Sequence, residues 1–385
     1  MGDKQQRIGT LTFHFAHNYG AMLQAYALPT ALRKLGYNCE VIDYRFPYID
    51  CWSRIERWKD LFSRHGLIGG SLRYIKRLAT GYYLRDDMHV KFDRFERKII
   101  SHSPKIYFDK TELKNLPYDA ILFGSDQIWN SEITNGVAEE YIGGFPCLPG
   151  TRKIAYAASC GTSDFRPESR EIYEQYLRDF HAIGVREVGF QKTLCSRGFQ
   201  AECVLDQTLL LTSEDWKELL LPQNPAGRDK YLLVYAFDED KVLYDLARHY
   251  AEVNGLQIVV LAYKKEEAMY GMQVLTDCGP LEFLTLFASA EHTLTTSFHG
   301  TVFSILFHKE FHCVPHPIFR ERTDSLLQML NLTDHIVEEL TELQDVQTDW
   351  KAVDASLHRQ RETSIGFLKQ ALEADRRNGN DEDSI

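Results

Sequence analysis

Short apolar runs rich in β-branched and aromatic residues alternate along the chain with amphipathic stretches of helical period, the pattern of parallel strands joined by crossover helices. Ile8–Phe13 reads as the first strand, and a turn at Asn18-Tyr19-Gly20, a helix to about Leu35 and a strand at Cys39–Tyr44 follow. Ala120–Phe123, Lys153–Ala158, Ala182–Val185 and Cys203–Leu205 continue the series, with helices near 167–180 and 187–197. The breakers in Leu221-Pro222-Gln223-Asn224-Pro225-Ala226-Gly227 mark a boundary. A second series then runs Tyr231–Phe237, a helix at 239–253, Gln257–Ala262, a helix at 280–289, His292–Thr296 leading to a helix at Gly300, and Glu310–Val314. The expectation is an α/β chain with two Rossmann-like, doubly wound domains, 1–221 and 222–348. A polar helix over 349–375 and a disordered tail over 376–385 complete it.

Residues 52–114 break this rhythm. They hold 15 Lys and Arg against 8 Asp and Glu, whereas the whole chain carries a net charge of −11. The aromatic-dotted pattern predicts a helical basic insertion in the first domain. It is either a cap with a solvated charged face or a platform for an anionic partner, such as a membrane surface or a lipid-linked sugar phosphate. The acidic balance elsewhere argues against nucleic acid as a partner. No apolar run approaches the roughly 18 residues of a membrane span, and residues 1–7 lack the apolar stretch of a signal peptide. The chain therefore reads as cytoplasmic, with peripheral contact at the inner membrane face an option.

No Cys-x-x-Cys pair occurs among the eight cysteines. Pro315 and Pro317 break any helix that would align His312 with His316, so no metal is expected. Neither a Walker-type loop nor a Gly-x-Gly-x-x-Gly fingerprint is present, and no cofactor is announced.

Ligands of open parallel sheets bind beyond the carboxyl ends of strands, and three such connectors here are polar. They are His14 to Gly20, Gly124-Ser125-Asp126-Gln127-Ile128-Trp129-Asn130, and Ser297-Phe298-His299-Gly300-Thr301. A His beside Gly at a strand-to-helix junction is either a packed cap or a proton carrier near neutral pH. Arg186, at another strand end, is either an anion clamp or an ion-pair partner of Glu187.

These connectors, with the sequences Asn18-Tyr19-Gly20-Ala21-Met22-Leu23-Gln24, Tyr156-Ala157-Ala158-Ser159, Val185-Arg186-Glu187 and Leu205-Asp206, resemble the polysaccharide pyruvyl transferases over roughly residues 8–330. The resemblance implies transfer of a pyruvyl group from phosphoenolpyruvate to two hydroxyls of a sugar, forming a cyclic ketal on a surface polysaccharide or its lipid-linked precursor. It also implies a GT-B-like architecture with a cleft between the domains and the last helix crossing back to the first. In that scheme His299, Arg186 and Asp126 are the catalytic candidates. Asn18, Tyr19, Gly20, Gln24, Gly124, Ser125, Trp129, Asn130, Ser297, Gly300 and Thr301 are the candidate substrate contacts.

The sequence departs from the family pattern at two places. Ser297 stands where well-assigned branches carry Arg, so one donor clamp is missing or supplied elsewhere, and Gln207 replaces a common Pro after Leu205-Asp206. The alternatives are a glycosyltransferase using a nucleotide sugar and a non-enzymatic polysaccharide-assembly factor.

Overall fold

β1 (Arg7–Leu11) is buried on both faces except at Arg7, as an inner strand of a parallel sheet is. It sits in a seven-stranded parallel sheet ordered β3-β2-β1-β4-β5-β6-β7. The other strands are β2 (Asn38–Tyr44), β3 (His102–Tyr107), β4 (Ala120–Phe123), β5 (Arg152–Ala158), β6 (Ala182–Val185) and β7 (Ala201–Cys203). A second parallel sheet is ordered β10-β9-β8-β11-β12. It contains β8 (Tyr231–Tyr235), β9 (Gln257–Leu261), β10 (Gln273–Leu275), β11 (His292–Thr295) and β12 (Glu310–Cys313). This computed structural model describes residues 6–46, 49, 71, 86–124, 126–228, 230–236, 241–264, 269–315, 320–339, 343 and 346–373.

Both sheets are doubly wound. Strand order reverses between β1 and β4 in the first and between β8 and β11 in the second, so each has the topological switch point at which such folds bind ligands. The crossover helices are α1 (Tyr19–Lys34), α2 (Asp86–Ile99), α3 (Pro167–Leu177) and α4 (Val188–Ser196) in the first series, with short α5 (Ser213–Lys217) leading out of it. The second series has α6 (Lys241–Asn254), α7 (Pro280–Ser289), α8 (Phe298–Leu306) and α9 (Glu321–Leu330), and α10 (Trp350–Glu373) ends the described chain. No helix among the described residues is long and apolar enough to cross a membrane.

One hydrophobic cluster runs from Ile8 in β1 through Tyr231 in β8 to Leu372 in α10. Tyr19 stacks on Phe283 at 4.9 Å and donates to the Cys278 carbonyl at 2.9 Å, tying α1 to α7. Trp216 meets Phe303 edge-on at 5.1 Å, a pairing worth about 0.5–1.5 kcal/mol beyond its burial. α10 returns to the first sheet, where Ser364 Oγ accepts from the Leu205 amide at 2.9 Å and Arg361 donates to the Leu209 carbonyl at 2.9 Å.

The stretch 52–114 is not helical to its end. Residues 86–99 form α2, but His102–Tyr107 is β3, an edge strand pairing in parallel with β2. His-Ser-Pro-Lys hides it, and Pro104 is tolerated because an edge strand has one unpaired side. Residues 52–85 of this stretch lie outside the described residues, except Ser71, as do the tail from 374 and Ser125. α8 starts at Phe298 rather than Gly300, because Ser297 caps it and accepts from the Gly300 amide at 3.4 Å.

Candidate active site between the two switch points

Asn18 holds the start of α1 by accepting from the Ala21 amide, a side-chain cap of the usual kind. That places Gly20 in the first turn of α1, directly against His299 in the first turn of α8. A β carbon at residue 20 would lie 2.1 Å from His299 Nδ1. Only glycine permits this approach, which brings the two switch points together.

His299 is 4% exposed. Its Nε2 is buried without a hydrogen-bond partner and lies 3.9 Å from Asp206 Oδ1. Burial lowers the imidazole below its ordinary value of 6.5, although Asp206 and Asp126 pull the other way. The resting ring is therefore neutral at pH 7 and can accept a proton.

Around it lies an ion-pair network drawn from both sheets. Arg186 donates through Nη1 to Asp206 at 2.8 Å, through Nη2 to Asp126 at 3.0 Å and through Nε to Glu187 at 3.3 Å. Arg322, from α9, also donates to Asp126. Both guanidiniums lie over the Phe298 ring, at 4.8 and 5.5 Å from its centre. Ser159 Oγ donates to Glu187 at 2.5 Å. Burial opposes ionisation of Asp126, yet Arg322 and Arg186 outweigh it and hold the carboxyl well below the usual carboxylate range. In Asp206 burial is likewise overcome, by the imidazolium form of His299 and by Arg186, and the carboxyl is held below its ordinary value. Burial penalises the Arg186 charge, but its three carboxylates raise its proton affinity. In Arg322 burial wins over Asp126, and its proton affinity falls.

Gln24 joins the connectors. Its Nε2 donates to Asp206 at 2.5 Å and its Oε1 accepts from the Asp126 amide at 2.8 Å. Gly124 is needed where β4 passes β5, because a β carbon there would lie 1.8 Å from the Tyr156 carbonyl oxygen.

Several candidates have other work. Arg186 is 5% exposed and held by three carboxylates, so it is the hub of the network rather than an open anion clamp. Trp129 is 1% exposed and donates to the Tyr141 carbonyl, and Asn130 donates to Gln127; both shape the β4 connector from within. Tyr19 is committed to Cys278, and Thr301 Oγ1 donates to the Ser297 carbonyl. A β carbon on Gly300 would strike Thr295, so Gly300 serves close packing. In the sequence Asp206 stands out only as part of the Leu205-Asp206 match. Glu187 reads in the sequence only as an ion-pair partner of Arg186. Arg322 lies on a helix with no motif, and only the tertiary fold delivers it.

The model of the polysaccharide pyruvyl transferase family matches residues 18–317, and the chain belongs to this family of transferases of polysaccharide biosynthesis. No curated protein matches it. Among solved structures it is similar to a UDP-GlcNAc 2-epimerase from Methanocaldococcus jannaschii in complex with UDP-GlcNAc and UDP, at 12% identity and TM-score 0.45, covering 95% of this chain and 99% of that one. A UDP-GlcNAc 2-epimerase from Neisseria meningitidis bound to UDP-GlcNAc gives 9% identity and TM-score 0.46, with 95% and 94% covered. The glycosyltransferase SnogD from Streptomyces nogalater gives 13%, 0.39, 96% and 100%.

Proposed function

We propose that this protein transfers the pyruvyl group of phosphoenolpyruvate to two hydroxyls of a sugar in a surface polysaccharide or its lipid-linked precursor, with His299 as the proton carrier. The observation that carries the reading is the buried Nε2 of His299, which has no hydrogen-bond partner and sits where two ligand-binding switch points meet.

The chemistry follows from a neutral ring. Nε2 takes the proton of the first hydroxyl as its oxygen bonds to C2 of the donor, and passes that proton to the methylene carbon C3, which becomes methyl. His299 returns to neutrality by giving up the proton it took. The second hydroxyl then attacks C2, the C2–O bond to phosphate breaks, and the second hydroxyl proton leaves with phosphate. Asp206, 3.9 Å away, favours the transient imidazolium, so the charge is stabilised as it develops.

The donor is an anion, and three carboxylates against two guanidiniums leave the resting network one charge negative. An anionic group of the donor therefore exchanges with Asp126 on Arg322, which is 11% exposed and supplies the cation that Ser297 cannot. Gln24 and Arg186 keep the freed Asp126 loop in register.

The test incubates the protein with phosphoenolpyruvate and diol-bearing sugar acceptors and follows acceptor mass and released phosphate. Acceptor mass should rise in step with phosphate release. Selective thermal stabilisation by nucleotide sugars, with no response to phosphoenolpyruvate, would refute the reading and favour glycosyl transfer.

A further inference from the structure

A second buried cluster lies on the β2 side of the connector that carries Gly20. His14 follows β1, Asp43 and Arg45 lie at the end of β2, Glu96 belongs to α2, and His102 opens β3. The side chains of His14 and Glu96 are 0% and 1% exposed, and that of His102 14%. Among the described residues, the nitrogens of His14 and His102 and a carboxylate oxygen of Glu96 lie within 4.8 Å of one another.

The hydrogen bonding of this cluster is incomplete in a particular way. His14 Nδ1 is 3.2 Å from the Thr12 carbonyl and its Nε2 is 3.0 Å from Asp43 Oδ1, both acceptors. A neutral imidazole has a single N–H. If that hydrogen goes to Thr12, the Nε2 lone pair faces a carboxylate oxygen, and a proton or a metal cation must lie between them. His102 Nε2 is buried without a hydrogen-bond partner and points within 3.8 Å of Glu96 Oε1. Arg45 bonds to both Asp43 and Glu96 and cancels one of their two charges, leaving one.

We propose that His14, His102 and Glu96, with Asp43 at the fourth position, bind a divalent transition-metal ion of the zinc class. Two imidazoles and carboxylates are ordinary zinc ligands, and a histidine ligand that gives its other N–H to a backbone carbonyl is oriented as Thr12 orients His14. Ligand atoms around a tetrahedral zinc, at bonds of about 2.1 Å, lie about 3.4 Å apart, so the widest separation here closes by about 1.4 Å. Side-chain rotation of Glu96 and His102 supplies it. The ion staples the β1 connector to α2 and to edge strand β3. It thereby steadies the segment whose Gly20 backs His299, and its role is structural.

The test uses the full chain, stripped with chelator and desalted, titrated with Zn²⁺ by calorimetry and with Co²⁺ by visible absorption. We expect one equivalent bound, a cobalt spectrum of tetrahedral nitrogen and oxygen ligation, and at least a tenfold weaker affinity in His102→Ala and in Glu96→Gln. Arg45→Gln, which removes the competing cation, should tighten binding. Absence of stoichiometric binding in the wild type overturns the proposal. So does a sulfur-to-cobalt charge-transfer band, which would put the ion on cysteines, or a loss below tenfold in a folded His102→Ala. His102 is the primary variant because it lies at the cluster's more exposed edge, and its folding is checked by circular dichroism. If it fails to fold, Glu96→Gln carries the same threshold.

Discussion

Replacing Gly20 by Ala tests the junction of the two switch points with the smallest perturbation available. Gly20 is the second residue of α1, where the helical backbone accepts Ala and a helix interior favours it by about 1 kcal/mol. The new methyl carbon would lie 2.1 Å from His299 Nδ1, about 1.3 Å short of an ordinary 3.4 Å contact. Either the ring retreats by about that distance or the helices separate. Overpacking of this kind costs about 1–3 kcal/mol, partly offset by the helix preference, so a domain of ordinary stability stays folded. A displacement of about 1 Å at a reacting group can cost about 10²-fold in rate. We expect kcat in single-turnover assays with phosphoenolpyruvate and acceptor to fall about 10²-fold, while donor affinity from thermal shift stays within a few-fold. Gly366→Ala is the control: it sits in α10 with nothing within 4 Å of the added carbon, and should keep kcat while gaining up to about 1 kcal/mol. A folded Gly20→Ala enzyme turning over at the wild-type rate would refute the claim that His299 is positioned by this contact.

His299→Ala should cut turnover by roughly 10²–10⁴ with the melting temperature little changed and donor binding only modestly weaker; near wild-type phosphate release from folded protein would remove the residue from the chemistry. Because the proton carrier must start neutral and its proton affinity is lowered, activity should hold as pH falls past 6.5 and decline only below it, and a profile already half lost at pH 7 would contradict this. Arg186→Ala and Arg322→Ala should part company. The first leaves buried Asp206 and Glu187 without their arginine, Asp126 keeping Arg322, and should destabilise by about 3–5 kcal/mol, read from denaturant unfolding. The second should leave the protein folded and weaken phosphoenolpyruvate binding about tenfold or more, and equal donor affinity in both variants would overturn the assignment of the donor anion to Arg322.

The fold was legible where strands are buried on both faces. Ala120–Phe123 and Ala182–Val185 were read to the residue, because an apolar run bounded by breakers has few other meanings. β3 and β10 escaped, since His102-Ser103-Pro104-Lys105 and Gln273-Val274-Leu275 are edge strands that can afford polar or short sequences. In the site, His299 and Gly20 were visible because a strand-end His and a helix-start Gly are each unusual, and their contact is what pairs them. Arg186 was visible as a charge but not as a hub, because its three carboxylates come from the connectors after β4 and β7 and from its own neighbour. Trp129 illustrates the opposite error. A polar connector suggests binding, yet its aromatic residue turned inward, where the indole N–H found a carbonyl.

The hydrophobic cluster shared by the two sheets bears on how new specificities can arise in this architecture. A half exchanged with that of a relative would have to match, all at once, the faces of α1, α7 and α8 and the returning α10, so modular recombination meets a steep barrier. The strand-end connectors are no freer, because Gly20 meets His299, Asp126 bonds to Arg186, Arg322 and Gln24, and Trp129 is buried with its indole on the Tyr141 carbonyl. Diversification is therefore expected to proceed by single side-chain substitutions at partly exposed positions on an unchanged scaffold, and a directed-evolution library confined to such positions should yield more folded variants than one that shuffles halves.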